Sequence, residues 1–344
     1  MEILEMDQLE KKGRDAGFLV RLLLCLIGLA TILPLLGYLY GIVKMNTAAL
    51  TLLLPVICIY ILTYWWACKH STALKNRFDR GVAGGLMGVA GYDLIRIPFH
   101  LGGLNPFAAI QSYGVFLAGA EYSNLYTDWL GLFYHMGNGI FFGIMFTMIM
   151  GINKGTAVMA LVWALVIEGL AIVTVFGEVY HLRSNSTGMA VAFFAHLFYG
   201  APLAWFAKSS SVRPLAVAGS ALVAGIAVFS VWVLVRPPDG YLAPDGSHDL
   251  QMVEQGIHPR WSKIDLTDTF RIQNMTRETV VLEHPFSDRT LDSLDSGESI
   301  EFSFKKPGLY QIRAQRTDWR SVFVAVEKNG FVNPRAKGGK GDNE

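Results

Sequence analysis

Seven stretches of about twenty mostly apolar residues constrain this chain more than any motif in it: roughly 17–42, 47–68, 81–99, 128–151, 155–177, 188–207 and 214–235. A helix needs ~20 such residues to cross ~30 Å of hydrocarbon. A soluble core of 344 residues would not bury a composition that is 52% hydrophobic and 17% charged, so the excess must face lipid. The expectation is a membrane all-α bundle of about seven transmembrane helices. An eighth apolar stretch, 105–120, is short, starts at Asn105-Pro106 and leads into a loop without Lys or Arg. It is read as interfacial or re-entrant.

Orientation follows the cations, which are retained on the cytoplasmic side. Lys11, Lys12 and Arg14 precede the first span; Lys69, Lys75, Arg77 and Arg80 follow the second; Lys154 follows the fourth; Lys208 and Arg213 follow the sixth. The alternate loops hold only Lys44 and Arg183. A multipass protein of the plasma (inner) membrane is expected, with a cytoplasmic N-terminal segment (1–16) and everything past residue 235 extracytoplasmic. The first span is too long for a cleavable signal peptide. The formal charge of +1, with no basic stripe, excludes nucleic acid as a partner and leaves the lipid bilayer as the required one.

Within the transmembrane domain (17–235) a hairpin pattern recurs. Arg80-Gly81 opens a helix carrying Asp93, and the returning helix holds His135-x3-Gly139-x3-Gly143; Lys154-Gly155 opens a helix carrying Glu168, and its return holds His196-x3-Gly200-x3-Ala204. At ~1.5 Å per residue, the carboxylates lie ~18–20 Å from the inner ends and the histidines ~10–12 Å from the outer ends, which is nearly one level. Ionisable groups at such depth are costly and mark function. Asp93, His135, Glu168 and His196 are therefore candidate metal ligands, for copper or zinc, and equally a proton relay. Structural pairing, of Asp93 with Arg96 for example, is the competing reading. Glu178 and His181 at i, i+3 in the following outer loop are further metal candidates. The cysteines, Cys25, Cys58 and Cys68, form no CxxC or zinc spacing.

Past residue 235, Pro and Gly signal a linker (236–261), then short alternating segments at 268–275, 278–282, 299–304, 308–313 and 321–326 read as an all-β sandwich spanning 262–330, followed by a flexible tail (331–344). The run Phe270-x-Ile272-x-Asn274, Ser296-Gly-Glu-Ser-Ile-x-Phe-x-Phe304, Lys306-Pro-Gly-x-Tyr310 and Val322-Phe-Val-Ala-Val326 resembles a cupredoxin. The resemblance implies a copper-ligating Cys four residues after the Tyr, where Ala314 stands, and a His near Thr317; with both replaced and no later Met, it implies no type 1 copper. Residues 80–208 resemble a group of small bacterial multipass membrane proteins, which implies a fold unit and no activity.

Three functional readings remain, and none assigns a catalytic reaction: a metal-binding carboxylate/His cluster in the outer half of the bundle beneath a metal-free outer domain; a non-catalytic accessory or docking subunit of a membrane complex; and a proton-coupled transporter.

Overall fold

The structure, a computed structural model, describes residues 17–102, 104, 106–150, 156–180, 182–183, 185–209, 214–235, 250–283, 290–315 and 321–332. The N-terminal segment, Lys154, Gly155, His181, Thr317, residues 236–249 of the linker and the tail past 332 lie outside these residues.

Ten helices among the described residues build the first part: α1 (Gly17–Leu29), α2 (Leu33–Leu39), α3 (Met45–His70), α4 (Thr72–Leu101), α5 (Ala108–Ala118), α6 (Leu125–Ile149), α7 (Thr156–Val173), α8 (Val175–Val179), α9 (Ser186–Lys208) and α10 (Pro214–Val235). Their starts follow local chemistry. Ser71 Oγ accepts from the Leu74 amide, Asn124 and Thr127 cap α6 reciprocally, and Asn185 Oδ1 accepts from the Gly188 amide at 2.9 Å. Gly119, at φ +64°, ends α5 in the left-handed conformation that favours glycine.

Among the described residues, five helices are long and apolar enough to cross a membrane, and six if the bent pair α1 and α2 is one span. On α7, Val158, Val162, Val166, Leu170 and Val173 lie on one exposed stripe, and on α10 Leu222, Ile226, Phe229 and Val233 do the same. Exposed apolar stripes at helical spacing suit a lipid surface. The remaining expected span, 81–99, lies in α4, which is long enough but too polar to join that set. α4 is instead a central helix, with Gly81, Gly84, Gly85 and Gly88 buried against α6 and α9. The stretch 105–120 forms only the eleven-residue α5, too short to span, as expected.

Arg77 and Arg80, read from sequence as topology signals, act structurally as caps. Arg77 Nη1 donates to the carbonyls of Thr147 and Met150, and Arg80 Nη1 donates to Ala207 (3.3 Å) and Ser209 (3.1 Å), the last carbonyls of α6 and α9.

Nine strands among the described residues form two sheets: β1 (Leu250–Val253), β2 (Gly256–His258), β3 (Trp261–Asp265), β4 (Phe270–Asn274), β5 (Val280–Glu283), β6 (Thr290–Leu294), β7 (Ser299–Phe302), β8 (Gly308–Ala314) and β9 (Val322–Glu327). One sheet has the order β2-β1-β4-β7 and the other β3-β9-β8-β5-β6; β1 pairs parallel with β4, and β3 parallel with β9. Leu250, Met252, Phe270 and Ile272 of the first sheet share one core with Leu282, Ile312, Val322 and Val324 of the second, which makes a sandwich. Among the described residues the sandwich includes β1 and β2, which fall in the stretch read as linker, because three- and four-residue strands are too short to show an alternating pattern. Asn274, part of an Asn-Met-Thr glycosylation pattern, is fully buried, and its side chain donates to Glu278 and Leu294 and accepts from Thr276.

The two parts share a core. Trp261, Leu309, Ala325 and Val332 of the sandwich pack with Leu35, Tyr38, Met45 and Phe116 of the helices. Ser123 donates its amide to the Trp261 carbonyl at 2.9 Å, Tyr122 bridges Ser262 as a short extension of β3, and the Tyr38 hydroxyl donates to Glu327.

Candidate functional site

The recurring hairpins place their ionisable residues as pairs. In the hairpin of α4 and α6, Asp93 Oδ1 lies 3.1 Å from His135 Nε2; in that of α7 and α9, Glu168 Oε2 lies 3.2 Å from His196 Nδ1. Glycine makes the first approach close: a Cβ on Gly85 would stand 2.6 Å from the Gly139 carbonyl oxygen. Both carboxylates are buried, Asp93 completely, and both imidazoles are largely so.

The pairs differ in their surroundings. Asp93 Oδ1 also accepts from Arg96 Nη1 at 3.2 Å, and the guanidinium lies 4.5 Å from the ring centres of both Tyr92 and Phe107. The Glu168 pair has no such cation among the described residues; His196 Nδ1 also lies 2.9 Å from the Ala192 carbonyl. Tyr92 stands between the pairs, its ring 5.8 Å from that of His135 and 4.6 Å from that of His196. One oxygen of each carboxylate, Asp93 Oδ2 and Glu168 Oε1, is buried without a hydrogen-bond partner.

The four residues named from sequence are therefore joined two by two. Among the described residues, no group of three or more His, Cys, Asp or Glu is placed to hold a metal ion. Glu178 is half-buried on α8 and does not line the cavity described next, and His181 lies outside the described residues.

A cavity of about 940 Å³ adjoins both pairs. Its wall includes Arg96, His135, Asn138, Glu168 and His196, aliphatic side chains such as Leu33, Leu36, Ile167 and Leu170, and Leu309, Gln311, Arg313 and Phe323 of the sandwich. Sequence reasoning named the acids and histidines but not the cavity, whose wall is assembled from segments up to 294 residues apart, between Leu29 and Phe323. Tyr92 was also missed: an aromatic in an apolar helix carries no signal of its own until its neighbours are known.

In the sandwich, Ala314, at the position where the cupredoxin resemblance implies a copper-ligating Cys, is buried in the apolar core opposite Leu282.

No family model matches this chain, and no curated protein does. The membrane-region resemblance to bacterial multipass proteins thus has no match behind it. Among solved structures, a purple cupredoxin from Nitrosopumilus maritimus is similar at 15% identity, over 24% of this chain and 100% of that one, with a TM-score of 0.21. A copper-containing nitrite reductase from Thermus scotoductus SA-01 is similar at 16% identity, over 26% of each chain, with a TM-score of 0.22.

Proposed function

We propose that this is an integral membrane protein that binds an amphipathic molecule in its helical bundle, polar head against the two carboxylate/imidazole pairs and apolar tail along the cavity. The observation that carries the reading is the cavity itself. Its ~940 Å³ lies at the upper end of the ~300–1,000 Å³ of small-molecule sites, and its largely apolar wall includes both imidazoles, Glu168 and Arg96. In this reading α4 is the seventh span, shielded from lipid by its neighbours. The cationic loops keep the N-terminus cytoplasmic, and the sandwich, cupredoxin-like and without type 1 copper, covers the outer mouth of the cavity.

Each carboxylate closes on its own imidazole, an arrangement that orients a hydrogen-bonding group and exchanges protons more readily than it assembles a metal shell of three or four ligands. The docking-subunit reading draws on the same sandwich, whose packing against the helices leaves its other sheet outward for a partner; membrane-complex subunits are the partner class.

Purification in mild detergent, followed by organic extraction and mass spectrometry, tests the binding reading. A stoichiometric amphipathic molecule is expected from the native protein and not from a variant with Ala109→Phe and Ala171→Phe, which fill the wall. An empty native cavity in the folded protein counts against the proposal, and so does a stoichiometric metal lost with His135→Ala and His196→Ala.

A further inference from the structure

The hydrogen-bond polarity of the site narrows the chemistry of the head group, if the cavity is a binding site as proposed above. His196 Nδ1 faces the Ala192 carbonyl at 2.9 Å, and a carbonyl only accepts, so that nitrogen carries the proton. Glu168 Oε2 lies 3.2 Å from the same nitrogen, and in the tautomer that the Ala192 contact sets, Nε2 is left as an acceptor. Asp93 Oδ1 accepts from Arg96, a group that only donates, and presents the same oxygen to the His135 ring. His135 Nε2 therefore donates to Asp93 at 3.1 Å, and its Nδ1 is likewise left as an acceptor.

Neither free ring nitrogen has a partner among the described residues, and both rings line the cavity. Glu168, 4% exposed, adds a buried oxygen, Oε1, without a partner. The one full cation on this part of the wall, Arg96, is engaged by Asp93 and lies over two rings.

We infer that the site recognises a head group that donates hydrogen bonds from two hydroxyls, an aromatic or aliphatic diol on an apolar tail, in preference to a carbonyl-bearing or anionic head. Each carboxylate/imidazole pair receives one hydroxyl: the ring nitrogen accepts the O–H while the opposite N–H is held by Asp93 Oδ1 in His135 and by the Ala192 carbonyl in His196. An acceptor-only head would set lone pair against lone pair at both rings. Tyr92, between the two rings, offers an aromatic face to a planar head.

The test uses the purified full chain in detergent under anaerobic conditions, with binding read from the fluorescence of Trp163 and the other tryptophans. The probes are a decyl hydroquinone, the corresponding quinone, the dimethyl ether of the hydroquinone, and a decyl glycerol ether as the aliphatic diol. One of the two diols is expected to bind at least tenfold more tightly than the dimethyl ether, the scale of one unmade buried hydrogen bond. The variant with His135→Phe and His196→Phe is expected to bind the diol no better than the ether, with ether binding retained as the sign that the cavity is intact. Equal binding of all four probes by the native protein overturns the hydroxyl assignment and leaves the cavity reading standing. Binding of none of them by a folded, extracted protein overturns both.

Discussion

The two hairpins repeat one pattern with different electrostatics. In the first, α4 with α6, the acid belongs to a three-member set: Arg96 and His135 both converge on Asp93 Oδ1. In the second, α7 with α9, Glu168 Oε2 lies 3.2 Å from His196 Nδ1, whose hydrogen bond goes to the Ala192 carbonyl, and no Arg or Lys hydrogen-bonds to the carboxylate among the described residues. The backbones differ in the same sense. A Cβ on Gly85 would come within 2.6 Å of backbone across the first hairpin, while one on Gly200 would meet its nearest neighbours at 3.1 Å across the second. A buried ion pair is tolerated where geometry is tight and further hydrogen bonds support it; at Asp93 the His135 contact adds to that of Arg96 on Oδ1, while Oδ2 is left without a partner. The first hairpin thus reads as the rigid half of the site, built around an ion pair, and the second as the half free to respond to a ligand.

The largest expected effect follows from removing the cation of the rigid half. Arg96→Met leaves Asp93, fully buried, with an uncompensated charge, and a loss of about 3–5 kcal/mol is expected. Thermal unfolding in detergent measures it; a loss under about 1 kcal/mol would show that the first hairpin is no more charge-dependent than the second. Next comes the helix contact: Gly85→Ala pushes a methyl onto the Gly139 carbonyl and the Ile140 Cα, with an expected cost of about 1–3 kcal/mol. Glu168→Gln, in the looser half, keeps an oxygen beside His196 Nδ1 and breaks no ion pair to Arg or Lys, so about 1 kcal/mol or less is expected. If this substitution destabilises as much as Arg96→Met, the electrostatic contrast between the hairpins is wrong.

Much of this contrast has a visible origin in the chain, and part does not. The pairing was legible because carboxylate and histidine recur at matched depths behind a cation-Gly start, and helical rise converts sequence position into depth. The strands from Phe270 onward were legible from alternation. β1 and β2 were not, being too short to alternate. Nor were the contacts that seat the sandwich: the bridge from Tyr122 to Ser262 and the Tyr38–Glu327 hydrogen bond join residues 140 and 289 positions apart, and no local pattern encodes them. The cavity belongs to the same class, since it is a space left between elements.

The smallest expected effect is also the sharpest test of the looser hairpin. In Gly200→Ala two contributions oppose each other. Alanine is favoured over glycine inside a helix by about 1 kcal/mol, because the unfolded chain loses less freedom on ordering. Against this, the new methyl stands 3.1 Å from the Ala160 carbonyl oxygen, the Ala164 Cβ and the Leu161 Cα, so α7 must yield by a few tenths of an ångström. α7 has room to do so, because its outer face is an exposed apolar stripe with no protein packed behind it, whereas α6, opposite Gly85, is buried for most of its length. A net change within about 0.5 kcal/mol of zero is therefore expected for Gly200→Ala, read from the same unfolding midpoint. A cost equal to that of Gly85→Ala would mean that both hairpins are locked alike, and the second would then have no slack with which to accommodate a ligand.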